Sequence, residues 1–431
     1  MTAECAVAPQ PTRHWWHALV VDVRPLRVPP YSRLFWSNVV TSIGSQLTIV
    51  AVPTQVYDLT GSSGYVGLAG GVALVPLLLF GLWGGAIADA VDRRTLLLIS
   101  NGGIAVTSVL FWLQAALSVN SVSLVLALLG LQQVFFAVNQ PTRSAAIARL
   151  VPAELLPAAG ALNGTVVSFG AVMGPMLAGA LIPVLGLSTL YLIDAAGLTL
   201  TMWAVWRLPS LPPLDGAARR AGLAQVIDGF RYLATRKVLL ASFLLDIIAM
   251  VFGLPRALFP EIAQHTFGGP AGGGFALGLL FAAMPIGSVL AGLLSGWLSR
   301  IRRHGVAITV AVVAWGLAVA GFGLSGQLWL AVLCIGIGGA ADLVSMVFRG
   351  TMLQVAATDE MRGRMQGVFT VVVAGGPRLA DLLHGTVGAA VGTTMAVTGG
   401  GLLVVVLVVA AAIALPSFWR YQSPVSAEVD G

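Results

Sequence analysis

The sequence predicts an all-α integral membrane protein whose twelve spanning helices form two pseudo-symmetric six-helix bundles. Three observations predict it. Hydrophobic residues make up 57% of the 431 and charged residues 9%, with a mean hydropathy of +0.91, whereas soluble globular chains carry about 25% charged residues. Apolar runs of about 20 residues, each enough to cross about 30 Å of hydrocarbon as a helix, recur along the chain. Basic residues gather at every second junction between those runs, as the retention of positive charge in the cytoplasm requires.

The elements follow in order. Residues 1–33 lack the continuous apolar stretch and small-residue cleavage site of a signal peptide and are expected to form a retained cytoplasmic tail. The first bundle, 34–207, holds runs at 34–57, 65–88, 95–117, 122–143, 158–182 and 188–207. The second, 238–415, holds runs at 238–262, 274–298, 305–325, 328–350, 365–387 and 391–415. Glycine-rich GSSG (61–64) and GGPAGGG (268–274) mark turns. Between the bundles, 208–237 begins as a Pro- and Arg-containing linker. It then sets Leu223, Val226, Ile227, Phe230 and Leu233 at helical spacing beside Arg231, Arg236 and Lys237, the pattern of a short interfacial helix. Residues 416–431 form a C-terminal tail.

Simple alternation of the spans puts 21 of the 23 Lys and Arg on one side, leaving Arg256 and Arg378 as exceptions. Both termini are therefore expected in the cytoplasm. Low lysine and heavy Ala, Gly, Val and Leu usage fit a high-GC bacterium, hence a multi-pass protein of a bacterial inner membrane. Cys5 and Cys334 lie far apart, so neither a disulfide framework nor a CxxC metal motif is expected.

The halves resemble each other. GGAIADAVDRR (84–94) matches GLLSGWLSRIRR (292–303), PTRSAAIARL (141–150) matches FRGTMLQVAA (348–357), and GAVMGPMLAG (170–179) matches AGGPRLADLLHG (374–385). The matches run in the same order at nearly constant spacing, which puts a two-fold pseudo-axis between the bundles and a binding site at the midplane.

On these motifs the chain resembles a major facilitator superfamily transporter over essentially its whole length. Gly84 or Gly85, Asp89, Arg93 and Arg94 resemble the superfamily's loop between spans 2 and 3, with Ala90 in place of the usual Arg and Asp92 in place of a Gly. Gly170, Gly174, Pro175 and Gly179 resemble the Gly–Pro motif of antiporters, with Ala178 at one glycine position. VYDLTGSS (56–63), NQPTRSAAIARLVPAELLPAAGALN (139–163), GLPRALFP (253–260) and AGGPRLADL (374–382) resemble the enterobactin-exporter-like branch, which neighbours macrolide-efflux proteins. The resemblance implies alternating access, export driven by the proton gradient, and contact of Asp89 with the start of span 11 when the inner side is closed. Small-molecule substrate and protons are the implied partners. The chain is expected to sit in the lipid bilayer as a monomer, with no cofactor, metal or nucleic acid and no enzymatic role. An importer on the same fold remains open. A membrane enzyme would show acidic metal-diphosphate or His-rich clusters, and neither pattern occurs in the sequence.

Ionisable groups inside spans cost about 2.5–3.5 kcal/mol each at a helix centre, so they point to a cavity or a partner. Asp246, Asp342, Arg349, Arg378, Asp381 and His384 are the proton- or substrate-pathway candidates, with Asp246 and Asp381 the expected proton carriers. Arg378, Asp381 and His384 share a 120° arc of span 11 at about 100° per residue. Either an Arg378–Asp381 ion pair neutralises them, with His384 simply wet at the outer end, or Asp381 exchanges a proton in the cavity. Asp194 and Arg256 are further in-span charges for which a cavity or partner and a plain solvated place near the outer surface are equally open. Gln132, Gln133, Asn139, Ser42, Ser45, Gln46 and Thr48 are equally suited to substrate contact and to helix packing.

Overall fold

A computed structural model describes residues 22–213, 228, 231–270, 272–356 and 359–422, with the side chains of 82–86, 88–90, 356, 359–367 and 369–370 outside that description. The described secondary structure is helical. The long helices are α1 (Pro29–Thr60), α2 (Ser63–Ala90), α3 (Arg93–Ala116), α4 (Val122–Leu150), α5 (156–185), α6 (187–206), α7 (Lys237–Gly253), α8 (Phe275–Leu293), α9 (His304–Leu324), α10 (Leu328–Ala356), α11 (Asp359–Val391) and α12 (Thr393–Ala414). Among the described residues ten stretches are long and apolar enough to cross a membrane; the run Ala153–Trp206 counts once among them, and α11, carrying Arg378 and Asp381, is not included. Twelve spans result.

Local sequence sets the breaks. Pro29 and Pro30 start α1 earlier than residue 34, because proline's missing N–H costs nothing in a first helical turn. Side chains of Ser62, Asp92 and Ser121 accept from the backbone N–H of Gly64, Thr95 and Leu124, capping α2, α3 and α4. α5 and α6 run together except at Gly186, whose φ of 74° turns the chain where a side chain would be strained. α7 is interrupted after Gly253. Pro255 cannot donate to a helical ladder, and the chain continues as a 3-10 turn (Arg256–Leu258), one α turn (Phe259–Glu261) and a π segment (Ile262–Thr266). The last four residues of predicted span 8 likewise belong to a 3-10 stretch, Ser295–Arg300.

Among the described residues the buried core falls into clusters, two of them large. In the first, Tyr191 stacks on Phe111 at 5.2 Å, and its hydroxyl donates to Gln55, which also exchanges amide hydrogen bonds with Gln114. In the second, centred on 238–415, buried residues such as Leu245, Leu277, Leu280, Val312, Trp315, Val397 and Val404 form one apolar cluster that also takes in Leu47, Val50, Ala178, Ile182 and Leu190 of the first half.

The halves meet along two glycine-lined crossings. A Cβ at Gly385 of α11 would stand 2.5 Å from the Gly67 Cα of α2, and one at Gly179 of α5 would stand 2.7 Å from the Gly278 Cα of α8. Small residues allow such backbone contact between membrane helices. Both crossings lie toward the end carrying the α1–α2 turn, where Asp58 also accepts from the Gly272 N–H at 3.1 Å and Tyr57 packs edge-on against His265. At the other end, which bears the arginines of the α2–α3, α4–α5 and α8–α9 junctions, Gly160, Gly164 and Gly350 have open space around them. That end is called the basic end below.

The connection between halves is tethered at the basic end. Asp92 accepts from the Ser210 hydroxyl (2.6 Å) and the Leu211 N–H (2.8 Å), Arg93 N–H donates to the Leu211 carbonyl (3.1 Å), and Arg94 donates to the Trp206 carbonyl (2.6 Å). Arg149 donates to the Pro212 carbonyl. Of the expected interfacial helix, Leu223, Val226, Ile227 and Phe230 lie outside the described residues; Leu233 is buried with Leu239, Phe243, Leu353, Val368 and Val372. Partial burial pushes the Asp92 carboxyl up, but hydrogen bonds from Ser210, Thr95, Leu211 and Arg94 outweigh it and hold it below its ordinary value.

Two outcomes are expected. Gly67→Val overpacks a backbone crossing and destabilises the protein by about 1–3 kcal/mol, read as a lower melting temperature in detergent, whereas Gly164→Ala, facing open space, does not. Asp92→Asn speeds hydrogen exchange of the Leu211 amide about tenfold at neutral pH. A carboxylate with a lowered folded value contributes above its unfolded pKa of about 3.9 and loses that contribution as pH falls through the folded value. The protection factor of the wild-type Leu211 amide, measured against its intrinsic exchange rate at each pH, should therefore fall only in acid.

Candidate functional site

A cavity of about 350 Å³ lies between the halves. α1 contributes Asn38, Thr41, Ser42, Ser45, Gln46 and Thr48, and α4 contributes Gln132, Gln133, Asn139, Gln140 and Arg143. Asn101, Asn163 and Asp194 complete this wall from α3, α5 and α6. The opposite wall carries Arg256 and Phe281 with Arg378 and Asp381 of α11. One side is therefore mostly uncharged amide and hydroxyl, and the other holds fixed charge. The lining includes Asn163 and Ile147 toward the basic end, and the glycine crossings pinch the halves together at the other.

The wall of the first half is already hydrogen-bonded. Asp194 is 3% exposed and accepts from Thr48 (2.9 Å) and Ser108 (3.0 Å), while Ser108 in turn accepts from Gln132 (3.2 Å). Hydroxyls, not a cation, hold this carboxylate. Gly44 makes room for it, since a Cβ there would meet the Asp194 carboxylate oxygen at 2.7 Å. Arg143 donates to Asn38, whose amide donates to Asn163 at 3.0 Å. Of the two places left open for Asp194 and Arg256, the structure shows the cavity: both line it. Arg256 arrives there because Pro255 breaks α7, and its Nε is buried without a partner.

The pathway candidates separate into three environments. Arg378 and Asp381 face the cavity without coming within 4.0 Å ion-pair distance of each other among the described residues. Asp381 sits under α2, where a Cβ at Gly70 would stand 2.5 Å from the Asp381 Cβ. Its Oδ1 is buried and unpartnered. His384, on the same arc, is neither wet nor in the cavity. It is 2% exposed and turned into the second half against the Phe252 carbonyl and Gly400.

Asp246, Arg349 and Asp342 form the third group. Arg349 of α10, 5% exposed, makes an ion pair with Asp246 of α7 and approaches Asp342 at 3.9 Å. Asp342 is two turns earlier on the same helix; helical side chains lean toward the N-terminus, and a long arginine bridges that distance. This network lies inside the second half and does not line the cavity.

The Gly–Pro residues act through packing. Gly170 and Gly174 press against Ser42 and Gln46 of α1, while Gly179 meets Gly278. In α11, Gly376 meets Met250 of α7 at 2.9 Å and Gly385 meets Gly67. Each of the two helices thus packs on the first helix of its own half and crosses the other half, as the internal repeat predicts. Arg93 is buried at the start of α3; the side chains of Gly85 and Asp89 fall outside the described residues.

Removing one partner of a buried ion pair strands a charge at about 3–5 kcal/mol. Arg349→Gln should lower the melting temperature in detergent sharply, and adding Asp246→Asn to it should recover most of the loss.

Comparison with known proteins places this geometry. Residues 21–428 match the family model described as transmembrane secretion effector. Relatives named enterobactin exporter EntS, from Shigella boydii serotype 18 and Escherichia coli O81, are 32% identical over 372 residues, covering 84% of this chain and 86% of theirs. Among solved structures, a bacterial homologue of the human lysosomal transporter Spinster aligns with a TM-score of 0.70 at 15% identity, covering 94% of this chain and 100% of that one. A POT family transporter in complex with 5-aminolevulinic acid aligns with a TM-score of 0.72 at 15% identity, covering 90% and 96%. The chain belongs to the transmembrane secretion effector family of major facilitator superfamily transporters.

Proposed function

We propose that the protein is a secondary active exporter working by alternating access. It exchanges protons for a bulky organic molecule, siderophore-like or drug-like, across a bacterial inner membrane. The observation that carries this reading is the cavity between the halves, pinched shut at one end and lined by two buried carboxylates, Asp194 and Asp381. With the basic end in the cytoplasm, the cavity faces the side on which an exporter loads. The name enterobactin exporter carried by relatives at 32% identity favours a siderophore as cargo.

In this reading the halves 34–207 and 238–415 rock as units about the linker 208–237, in a single chain. Asp381 is the proton carrier best placed for it. Its Cβ lies against Gly70, so parting α2 from α11 opens the carboxylate to the far side, and closing them returns it to the cavity. Asp194, wired to Ser108 and Gln132, is the second acid within reach of the same chamber. Asp246 is held by Arg349 away from the cavity, which suits a packing role better than proton carriage.

The test is uptake into inside-out vesicles with an imposed pH gradient, across siderophores and macrolides. Accumulation should require the gradient, and Asp381→Asn should lower gradient-driven accumulation by an order of magnitude or more. Accumulation that ignores the gradient would remove the antiport reading.

A further inference from the structure

A second cavity of about 140 Å³ opens off the first, with Gln46, Ile49, Arg256 and Phe281 lining both. Beyond that shared mouth its character changes. Phe259 meets Phe281 edge-on at 5.1 Å and 82°, and meets Phe322 edge-on at 5.8 Å and 88°. Trp315 spends its indole N–H on the Ala249 carbonyl at 3.1 Å, so its ring offers the chamber no free donor. The chamber's one charged side chain is Arg256, at the mouth, whose Nε is buried without a partner. The Gln46 amide stands beside it in the shared lining.

We propose that this side chamber is an aryl-binding subsite of the transport cavity. A substrate inserts one aromatic ring among Phe259, Phe281, Phe322 and Trp315 and leaves an acidic oxygen substituent at the mouth, held by Arg256 and Gln46. The inference rests on reading the central cavity as the substrate chamber. Size fits a single ring, since an apolar protein cavity of about 150 Å³ takes up one benzene molecule. The lining fits an aromatic guest better than a saturated one, because edges and faces of rings attract each other in offset or perpendicular arrangements. The mouth fits an anion, because a guanidinium offers planar paired donors to a carboxylate-like group. A cationic guest would meet Arg256 and be rejected.

The experiment uses the full chain in lipid nanodiscs, with benzoate as probe and cyclohexanecarboxylate as its saturated counterpart, both followed by saturation-transfer NMR. Benzoate should bind about tenfold more tightly than the saturated acid. Met284→Phe, which fills the chamber, and Arg256→Gln, which removes its cation, should each weaken benzoate about tenfold, with thermal melting of each variant reported alongside. Equal binding of the two acids, or benzoate binding unchanged in a folded Met284→Phe protein, overturns the proposal. If either variant fails to fold, the wild-type comparison of the two acids decides alone. The same vesicle assay separates the two readings. Gradient-driven export that benzoate does not inhibit removes the aryl subsite and leaves the transporter standing. Ring-selective binding without any export keeps the subsite and removes the transport reading.

Discussion

Everything in this structure is arranged around two places where helix backbones touch. α2 meets α11 at Gly67 and Gly385, and α5 meets α8 at Gly179 and Gly278. In a bilayer no hydrophobic force drives helices together, so association depends on close packing and on the few polar contacts that accompany it. Glycine makes the packing close, and at the glycine positions themselves no side chain projects to hold the contact. Toward the basic end the halves diverge around a cavity. The asymmetry between a glycine-sealed end and a polar cavity is what alternating access needs of a resting state.

Buried charge is distributed in keeping with that division. Inside the second half, charge is paired: Arg349 holds Asp246 and lies near Asp342. Where the cavity lies, charge is spread apart. Asp194 is held by two hydroxyls, and Asp381 has an unpartnered oxygen. A buried pair is expensive to break and so belongs to a part that does not move. Unpaired carboxylates beside a chamber are the groups free to change state.

Much of this was legible in the sequence, for physical reasons. Span number follows from run length against bilayer thickness, and the gathering of basic junctions at one end from the alternating placement of arginines. The pairing of GAVMGPMLAG with AGGPRLADLLHG anticipated the equivalent packing of α5 and α11, because close approach needs glycine whichever half it occurs in. The cavity was less legible. Asp194 lies six residues into its run, a position compatible with surface or cavity; Thr48 and Ser108, its partners, come from helices 146 and 86 residues away. Run length alone makes 238–262 one span and leaves Arg256 between surface and cavity, whereas Pro255 signals the break that turns it into the cavity. His384 shares an arc with Asp381, but a helix has neighbours on several sides, and periodicity does not say which one a given edge meets. The partnership of Asp246 with Arg349 joins helices about a hundred residues apart, beyond the reach of any local pattern.

The central claim is that the two glycine crossings part as the basic end closes. The most direct measurement is a pair of spin-label distances by double electron–electron resonance, in protein whose two cysteines have been replaced. One pair, at Thr60 and Val391, brackets the sealed end; the other, at Ala153 and Gly350, brackets the basic end. With saturating exported substrate and a proton gradient, the first distance should lengthen while the second shortens. If both change in the same direction, or the second shortens while the first stays fixed, the crossings are not the moving contact and the account is wrong.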